Sequence, residues 1–187
     1  MKMSRVEVKL AGAGGQGLIT AGVLLAEAAL LEGKRVVQAQ SYGPEARLGS
    51  SSSDVIISDE EMIFYPKVQR PDIMVLMSDE SYRKFAKLVR PGGILIVDKS
   101  FVPEAEPANG ARLYHVPLTL KAKESVGLPV VANVLALGFL SGLTGVVKLE
   151  SLAEAVKDFL ARKAKYIPFN LKALEVGFRW ARELSSS

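Results

Sequence analysis

Gly12-Ala13-Gly14-Gly15-Gln16-Gly17 stands between two segments of different periodicity, and this stretch decides the fold. Residues 6–10 before it alternate apolar and charged side chains, which predicts a strand. Residues 18–31 after it are rich in alanine and leucine, which favour helix, and Gly33 follows where a helix commonly ends. Residues 35–40 predict a second strand. A strand, a glycine turn, a helix and a strand in this order open a doubly wound α/β fold.

The rest of the chain continues the α/β pattern and becomes helical after Pro129. The continuous apolar run Ile73–Met77 is typical of a central parallel strand. We therefore predict an α/β fold of three layers, Rossmann- or flavodoxin-like, with a doubly wound, mostly parallel sheet and a helical C-terminal part. We expect residues 1–187 to form a single domain. The further strands are predicted at 51–58, 73–77, 94–97 and 112–116, and the further helices at a Ser78 cap, over 131–144, at a Ser151 capping box and around Leu171.

Composition excludes several kinds of site. None of the 187 residues is cysteine, which excludes disulfides, thiolate zinc sites, a thiol nucleophile and any iron–sulfur cluster held by cysteines of this chain. The single histidine, His115, excludes a multi-histidine metal site. We therefore predict no metal site on this chain, and we assign no catalytic residue to it.

Charge and hydropathy point to a protein that binds neither nucleic acid nor membrane. The formal net charge is +4, and the basic residues are scattered with few aromatic residues between them. The longest apolar stretch, residues 130–147, contains Asn133, Ser141, Thr144 and glycines, so we interpret it as a buried helix. The first ten residues lack the apolar core of a signal peptide. We expect a soluble, cytoplasmic protein.

The glycine loop is a candidate ligand site because of its place between a strand and a helix. Gly12, Gly14 and Gly17 have the G-x-G-x-x-G spacing, and Gly15 and Gln16 complete the loop. Glycines let the backbone approach a ligand closely, and a helix N-terminus offers unpaired N–H groups to an anion. Three interpretations stay open: part of a nucleotide or another anionic cofactor, NAD(P), and glycines that serve packing alone. NAD would require an acidic residue at the end of the second strand, where the sequence is Val37-Gln38-Ala39-Gln40.

A second candidate loop, residues 41–49, follows the second strand at the sheet edge where ligands bind in open α/β folds. Tyr42 can stack on a ring or donate a hydrogen bond. Arg47 can pair with a phosphate or carboxylate, and Glu45 can orient it. The alternative is an ordinary turn with a surface ion pair. The candidate binding residues in this loop are Ser41, Tyr42, Gly43, Pro44, Glu45 and Arg47.

Three isolated polar residues have local interpretations. Asn133 opens an apolar helix, where its side chain can make a helix-start hydrogen bond or contact a ligand. We expect a structural role for His115, within a predicted strand. Asp98 ends a strand and can either face the ligand edge or stabilise a turn.

Four segments of the chain resemble the gamma subunit of 2-oxoacid:ferredoxin oxidoreductases. They are AGAGGQGLITAGVLLAEAAL at 11–30, QAQSYGPEARLGSSSSDVIISDEE at 38–61, YPKV with the following RPDIMVLMS, and ANVLALGFLSGLTG at 132–145. The glycine loop is shared with several related proteins, whereas SYGPEAR is more specific and is most similar to the 2-oxoglutarate branch. One difference is Leu48-Gly49, where members of this family commonly have two glycines.

The resemblance implies a subunit that supports catalysis in a larger complex and is inactive alone. Partner subunits of alpha, beta and delta type would hold thiamine diphosphate with magnesium and the iron–sulfur clusters. Those partners would decarboxylate the 2-oxoacid, pass electrons to ferredoxin and form the acyl-CoA. This subunit would lie beside the active site and help to bind coenzyme A, whose phosphates suit a helix N-terminus and whose adenine suits Tyr42. The alternatives are a stand-alone NAD(P)-binding oxidoreductase and a purely structural interaction subunit.

Overall fold

A computed structural model describes residues 5–43, 49–59, 62–63 and 65–186. Within these residues, six strands form one sheet in the order β2-β3-β1-β4-β5-β6. The strands are β1 Arg5–Ala13, β2 Arg35–Tyr42, β3 Ser50–Ser58, β4 Ile73–Leu76, β5 Ile94–Asp98 and β6 Arg112–Val116. The α-helices are α1 Leu18–Leu31, α2 Asp79–Phe85, α3 Leu118–Val126, α4 Ala132–Thr144, α5 Leu149–Phe159 and α6 Ile167–Ser185. Short 3₁₀ segments span Ala86–Leu88, Pro129–Val131 and Ala161–Tyr166.

The sheet is mixed, with one reversed strand in its interior. β1, β4, β5 and β6 pair in parallel, as predicted. β3 lies between β1 and β2 and pairs antiparallel with both, through Ser51 opposite Gly12 on one side and Tyr42 on the other. The α1 crossover therefore connects two strands of the same direction that are not neighbours. The predicted α/β class is confirmed, and the position of β3 is a feature that the local pattern did not predict.

Helices cover both faces of the sheet, which gives the three predicted layers. On one face, strand residues such as Val8 and Leu10 pack in a cluster with Leu25 of α1 and Phe139 of α4. On the other face, Met74 and neighbouring strand residues pack under the 3₁₀ segment after α2. β4 is buried along its whole length, and burial on both faces explains its unbroken apolar sequence.

The predicted helix boundaries agree with the structure to different degrees. α1 has the predicted bounds, and Gly33 follows it with φ +75°. Ser78 caps α2 as predicted, because its side chain accepts the Ser81 N–H at 3.2 Å. The predicted capping box at Ser151 is wrong: α5 begins at Leu149 with Lys148 at its N-cap. α3 was not predicted. No helix in the described part of the chain combines the length and apolar character that a membrane span requires.

Candidate functional site

The glycine loop leaves the carboxyl end of β1 and turns directly into α1. Gly15 and Gly17 have φ of +89° and +76°, in the left-handed region that favours glycine. The Gly14 N–H donates to the Gly49 carbonyl at 2.9 Å, which joins the loop to the chain entering β3. Together these segments enclose a cavity of about 360 Å³, lined by Gly14, Gly15, Gly17, Leu18, Ile19, Tyr42, Gly43, Gly49, Ser50 and Ser51.

Gln16 fixes the shape of this loop and does not line the cavity. Its side-chain oxygen accepts the Ala13 N–H at 2.7 Å, and its amide nitrogen donates to the Met77 carbonyl at 2.8 Å. A Cβ on Gly12 would lie 2.4 Å from Gln16 Oε1, so the glycine at 12 makes room for this side chain. Gln16 therefore holds the loop through hydrogen bonds to backbone groups, and Gly12 leaves space for its side chain.

Asn133 supports the same loop from α4. Its amide donates to the Gly17 carbonyl at 3.0 Å, and a Cβ on Gly17 would lie 2.6 Å from Asn133 Nδ2. The side chain is buried and bonds to loop backbone, so the observed role is to hold the start of α1 in place. It does not line the cavity.

The N-terminus of α1 gives the cavity an electropositive wall. Gly17 is the N-cap residue, no side chain caps the helix, and the first turn contains no acidic residue. The first N–H groups of a helix have no partner within the helix, and the helix dipole adds partial positive charge there. A ligand anion in the cavity would face these groups, with Leu18 and Ile19 in the adjoining wall.

The second predicted loop is divided by the structure. Tyr42, with 67% of its surface exposed, and Gly43 line the glycine-loop cavity. The Gly43 N–H donates to the Ser50 carbonyl at 2.7 Å, which aligns the two strand ends. Ser41, the preceding strand residue, lines a different cavity, because successive strand residues point to opposite faces. Pro44, Glu45 and Arg47 lie outside the described residues, and their roles stay predictions.

Ser50 and Ser51 are cavity residues that sequence reasoning missed. Both are buried, with 5% and 7% of their surfaces exposed, and both line the glycine-loop cavity. No hydrogen bond joins the Ser51 hydroxyl to another residue of the described chain. The available signal was the run of four serines that precedes Asp54 and the apolar residues Val55-Ile56-Ile57 in one predicted strand. Hydroxyl groups concentrated at the ligand edge of an apolar strand indicate a polar contact.

Two other polar residues have structural roles. His115 Nε2 lies 2.6 Å from the Val102 carbonyl, which agrees with the expected structural role. Asp98 is fully buried and accepts the Thr119 hydroxyl at 2.5 Å and the Ser100 N–H at 3.0 Å. Of its two interpretations, the turn-stabilising carboxylate is therefore the observed one. Among the described residues, no group of three or more His, Cys, Asp or Glu side chains could hold a metal ion.

Comparisons with known proteins cover nearly the whole chain. Residues 7–180 match the family model described as pyruvate ferredoxin/flavodoxin oxidoreductase. The 2-oxoglutarate synthase subunit KorC of Methanocaldococcus jannaschii is 43% identical over 182 residues, which cover 96% of each chain.

Two solved structures share the fold. The gamma subunit of a keto/oxoacid ferredoxin oxidoreductase from Geobacter sulfurreducens has a TM-score of 0.81 at 40% identity, over 94% of this chain and 98% of that one. The 2-oxoglutarate:ferredoxin oxidoreductase from Magnetococcus marinus, with 2-oxoglutarate, coenzyme A and succinyl-CoA bound, has a TM-score of 0.89 at 25% identity. That match covers this whole chain and 32% of the longer one. By sequence and by fold alike, the chain belongs to the pyruvate ferredoxin/flavodoxin oxidoreductase family.

Proposed function

We propose that this chain is the gamma subunit of a 2-oxoglutarate:ferredoxin oxidoreductase and that it contributes the glycine-loop cavity to the binding of coenzyme A. The subunit is a single domain that acts within a cytoplasmic complex and contributes to the assembly of that complex. The relatives named as 2-oxoglutarate synthase subunits and the gamma-subunit fold support the assignment to the complex. The single observation that carries the ligand assignment is a cavity that joins the α1 N-terminus to Tyr42 and Ser51.

Each part of the cavity matches a part of coenzyme A. The phosphates are anions and suit the free N–H groups at Gly17 and the first turn of α1. The adenine ring is planar and suits the exposed Tyr42 ring, and the Ser51 hydroxyl can donate to a phosphate oxygen. Gly14 and Gly15 line the cavity without side chains, so the ligand can approach their backbone closely.

The electron-carrying chemistry belongs to other chains in this proposal. An iron–sulfur cluster needs cysteine ligands, and this sequence has no cysteine. Partner subunits of alpha, beta and delta type would therefore hold the clusters, together with thiamine diphosphate and magnesium, and would pass electrons to ferredoxin. The residues of this chain bind and orient coenzyme A for acyl transfer and carry out no redox step.

The test is Gly15→Val in the reconstituted complex, with Gly33→Val as a matched control. Both glycines have positive φ and open space around the position of a Cβ, so both variants carry similar backbone strain. Gly15 lines the cavity, and Gly33 lies after the far end of α1. We expect Gly15→Val to weaken the apparent coenzyme A affinity about 10-fold or more, equivalent to about 1.4 kcal/mol, and to leave decarboxylation of the 2-oxoacid intact.

The control separates ligand binding from folding. Gly33→Val should lower the melting temperature to a similar extent and leave coenzyme A dependence unchanged. If the folded Gly15→Val complex keeps its normal coenzyme A dependence, the loop serves packing alone, and the subunit is a structural one.

A further inference from the structure

A second cavity of about 380 Å³ lies on the sheet face opposite α1, over β1, β2 and β3. Residues 65–69 and the end of α2 form its outer walls. It shares no lining residue with the glycine-loop cavity. The residues that line it are Lys9, Ala39, Gln40, Ser41, Ser52, Asp54, Tyr65, Lys67, Val68, Gln69, Lys84 and Phe85.

A buried ion pair forms the floor of this cavity. Lys9 of β1 and Asp54 of β3 are directly opposed in the sheet, and the Lys9 ammonium bonds to one Asp54 oxygen. Their side chains have only 7% and 14% of their surfaces exposed. The second Asp54 oxygen accepts the Val68 N–H at 3.1 Å, which positions the flanking residue Lys67. Since both carboxylate oxygens have donors, the negative charge of Asp54 is compensated within the protein.

The charge that remains in this cavity is positive. Lys67 and Lys84 lie on its exposed wall, and neither forms an ion pair with a carboxylate in the described ranges. The Lys84 ammonium lies 5.1 Å from the centre of the Phe85 ring, and the Lys9 ammonium lies 4.9 Å from it. Three lysines and one aspartate leave an excess of two positive charges, which would attract an anion.

Neutral hydrogen-bond donors also line this cavity. Ser52 is buried, with 6% of its surface exposed, and its hydroxyl makes no hydrogen bond to any other residue that the structure describes. Ser41 is its cross-strand neighbour, which brings two hydroxyl groups together on one wall. Gln40 and Gln69 add exposed amide groups. The Ser52 hydroxyl lines this positively charged cavity and makes no hydrogen bond within the described chain, so it is available as a donor to a polar ligand.

We propose that this second cavity binds a nucleoside phosphate, with the phosphate between Lys67, Lys84 and the Ser52 hydroxyl and the base against the Tyr65 ring. The volume is within the range of about 300–1,000 Å³ for small-molecule sites and exceeds what a lone phosphate fills. Tyr65 is half exposed and offers an aromatic surface for a planar base. Lysine ammonium groups and hydroxyl donors match phosphate oxygens.

Two sources can supply this chemistry, a free nucleotide and the nucleotide end of coenzyme A. The proposal does not rest on the function proposed above, because the two cavities have separate linings. ADP is the probe, and competition by coenzyme A distinguishes the sources. Displacement of ADP identifies the nucleotide end of coenzyme A as the occupant, which would place its adenine in this cavity and not against Tyr42. Failure of coenzyme A to displace ADP identifies a free nucleotide.

The experiment is calorimetric titration of the full chain with ADP, adenosine and inorganic phosphate. We expect ADP to bind more tightly than adenosine or phosphate. Lys67→Ala and Lys84→Ala should each weaken ADP binding about 10-fold, and Ser52→Ala about 3- to 10-fold. The matched control is Lys87→Ala, because Lys87 is an exposed lysine near Lys84 that does not line the cavity.

Three outcomes would overturn the proposal. One is the absence of saturable ADP binding, and another is equal loss of ADP binding in the Lys87→Ala control. The third is loss of ADP binding in Gly15→Val with normal binding in Lys67→Ala and Lys84→Ala. That last result would place the nucleotide at the glycine loop, in support of the proposed function and against a second site.

Discussion

Single residues around the glycine loop divide into two groups with different tasks. Gln16 and Asn133 bond to backbone groups at Ala13, Met77 and Gly17, so they hold the loop in shape. Gly15, Tyr42 and Ser51 face the cavity. Changes in the first group should alter stability and binding together, whereas changes in the second group should alter binding with little effect on folding.

Arg47 gives a prediction at this scale that rests on the sequence alone. Arg47 follows the second predicted strand, which comes after the glycine loop and its helix. A guanidinium can pair with a phosphate through two parallel hydrogen bonds. We expect Arg47→Ala to weaken the coenzyme A affinity of the reconstituted complex about 10- to 100-fold, from the loss of about 1.5–3 kcal/mol. Arg47→Lys should restore the affinity in part, because lysine lacks the planar fork. Unchanged affinity with a much lower melting temperature would make Arg47 a structural residue.

The glycine loop could be predicted from the sequence because its signals are local. The side-chain contacts that hold the loop in shape could not be predicted in this way. The glycine spacing, the strand before it and the helix after it lie within 31 residues. Gln16 reaches Met77 and Asn133 reaches Gly17 across 61 and 116 residues, so their partners depend on which elements become neighbours. The ligand contacts predicted for Gln16 and Asn133 stay predictions, and the contacts observed for both are hydrogen bonds to backbone groups.

At the scale of elements, β3 is the strand whose position in the sheet the local sequence pattern does not predict. Its apolar residues predict a strand, but its insertion between β1 and β2 is decided by pairing with both neighbours. The reversed direction brings the start of β3 to the carboxyl ends of β1 and β2. Ser50 and Ser51 therefore reach the cavity, and Ser52 reaches the second cavity.

The contact between α4 and α6 gives a prediction about packing. A Cβ on Gly138 would lie 2.1 Å from the Leu174 carbonyl oxygen, and a Cβ on Gly177 would lie 2.1 Å from that of Leu135. The two helices thus touch through their backbones. We expect Gly138→Ala to lower the free energy of unfolding by about 1–3 kcal/mol in urea, because the helices must separate. This loss should exceed the gain of about 1 kcal/mol from helix propensity.

Gly127→Ala is the comparison for this packing prediction. Gly127 has φ +83° and open space at the position of a Cβ, so alanine there adds backbone strain of about 1–2 kcal/mol without a clash. Coenzyme A binding at the glycine-loop cavity should be unchanged in the Gly127→Ala variant. A Gly138→Ala variant as stable as the wild type would mean that α4 and α6 can shift apart without cost.

The connection between α1 and α5 gives a prediction about pH. The Glu32 carboxylate accepts the Lys148 N–H at 2.6 Å and pairs with the Lys34 ammonium at 3.0 Å. Burial raises the pKa of Glu32, but the hydrogen bonds from Lys148, Lys34 and Ser151 together hold it below its ordinary value of 4.5. The stabilisation is therefore present above about pH 4.5 and is lost as the pH falls through the lower pKa of the folded state.

Glu32→Gln should consequently be less stable than the wild type at neutral pH, with a difference that shrinks on acidification. The measurement is the melting temperature in steps from about pH 7 downward past pH 4.5, because the stabilisation is lost as the pH falls through the lowered pKa of the folded state. Glu154→Gln is the control, since its carboxylate is exposed and pairs with Lys157 on the surface. A difference between Glu32→Gln and wild type that stays constant over this pH range would contradict the linkage.

At the scale of the whole molecule, the two faces of the sheet have different partners within the chain. One face is covered by α1, α4, α5 and α6, whose residues form the larger core cluster. The other face has a smaller cluster under α2 and leaves the second cavity open over β1, β2 and β3. Both cavities flank the β2–β3 end of the sheet, so that end is the part of the molecule where we expect ligands to bind.

The isolated chain should fold and yet catalyse no oxidation of 2-oxoglutarate or pyruvate with a viologen acceptor. Among the described residues, an apolar cluster packs on each face of the sheet, so we expect folding without a partner. The sequence has no cysteine and one histidine with which to hold a redox centre. We expect a cooperative thermal transition of the purified chain, no viologen reduction in the presence of coenzyme A, and activity after addition of purified partner subunits. The comparison is the same mixture without this chain, which tests whether acyl-CoA formation depends on it. Turnover by the purified chain free of partner subunits would contradict the division of labour, and full activity of the mixture without this chain would contradict its role in coenzyme A binding.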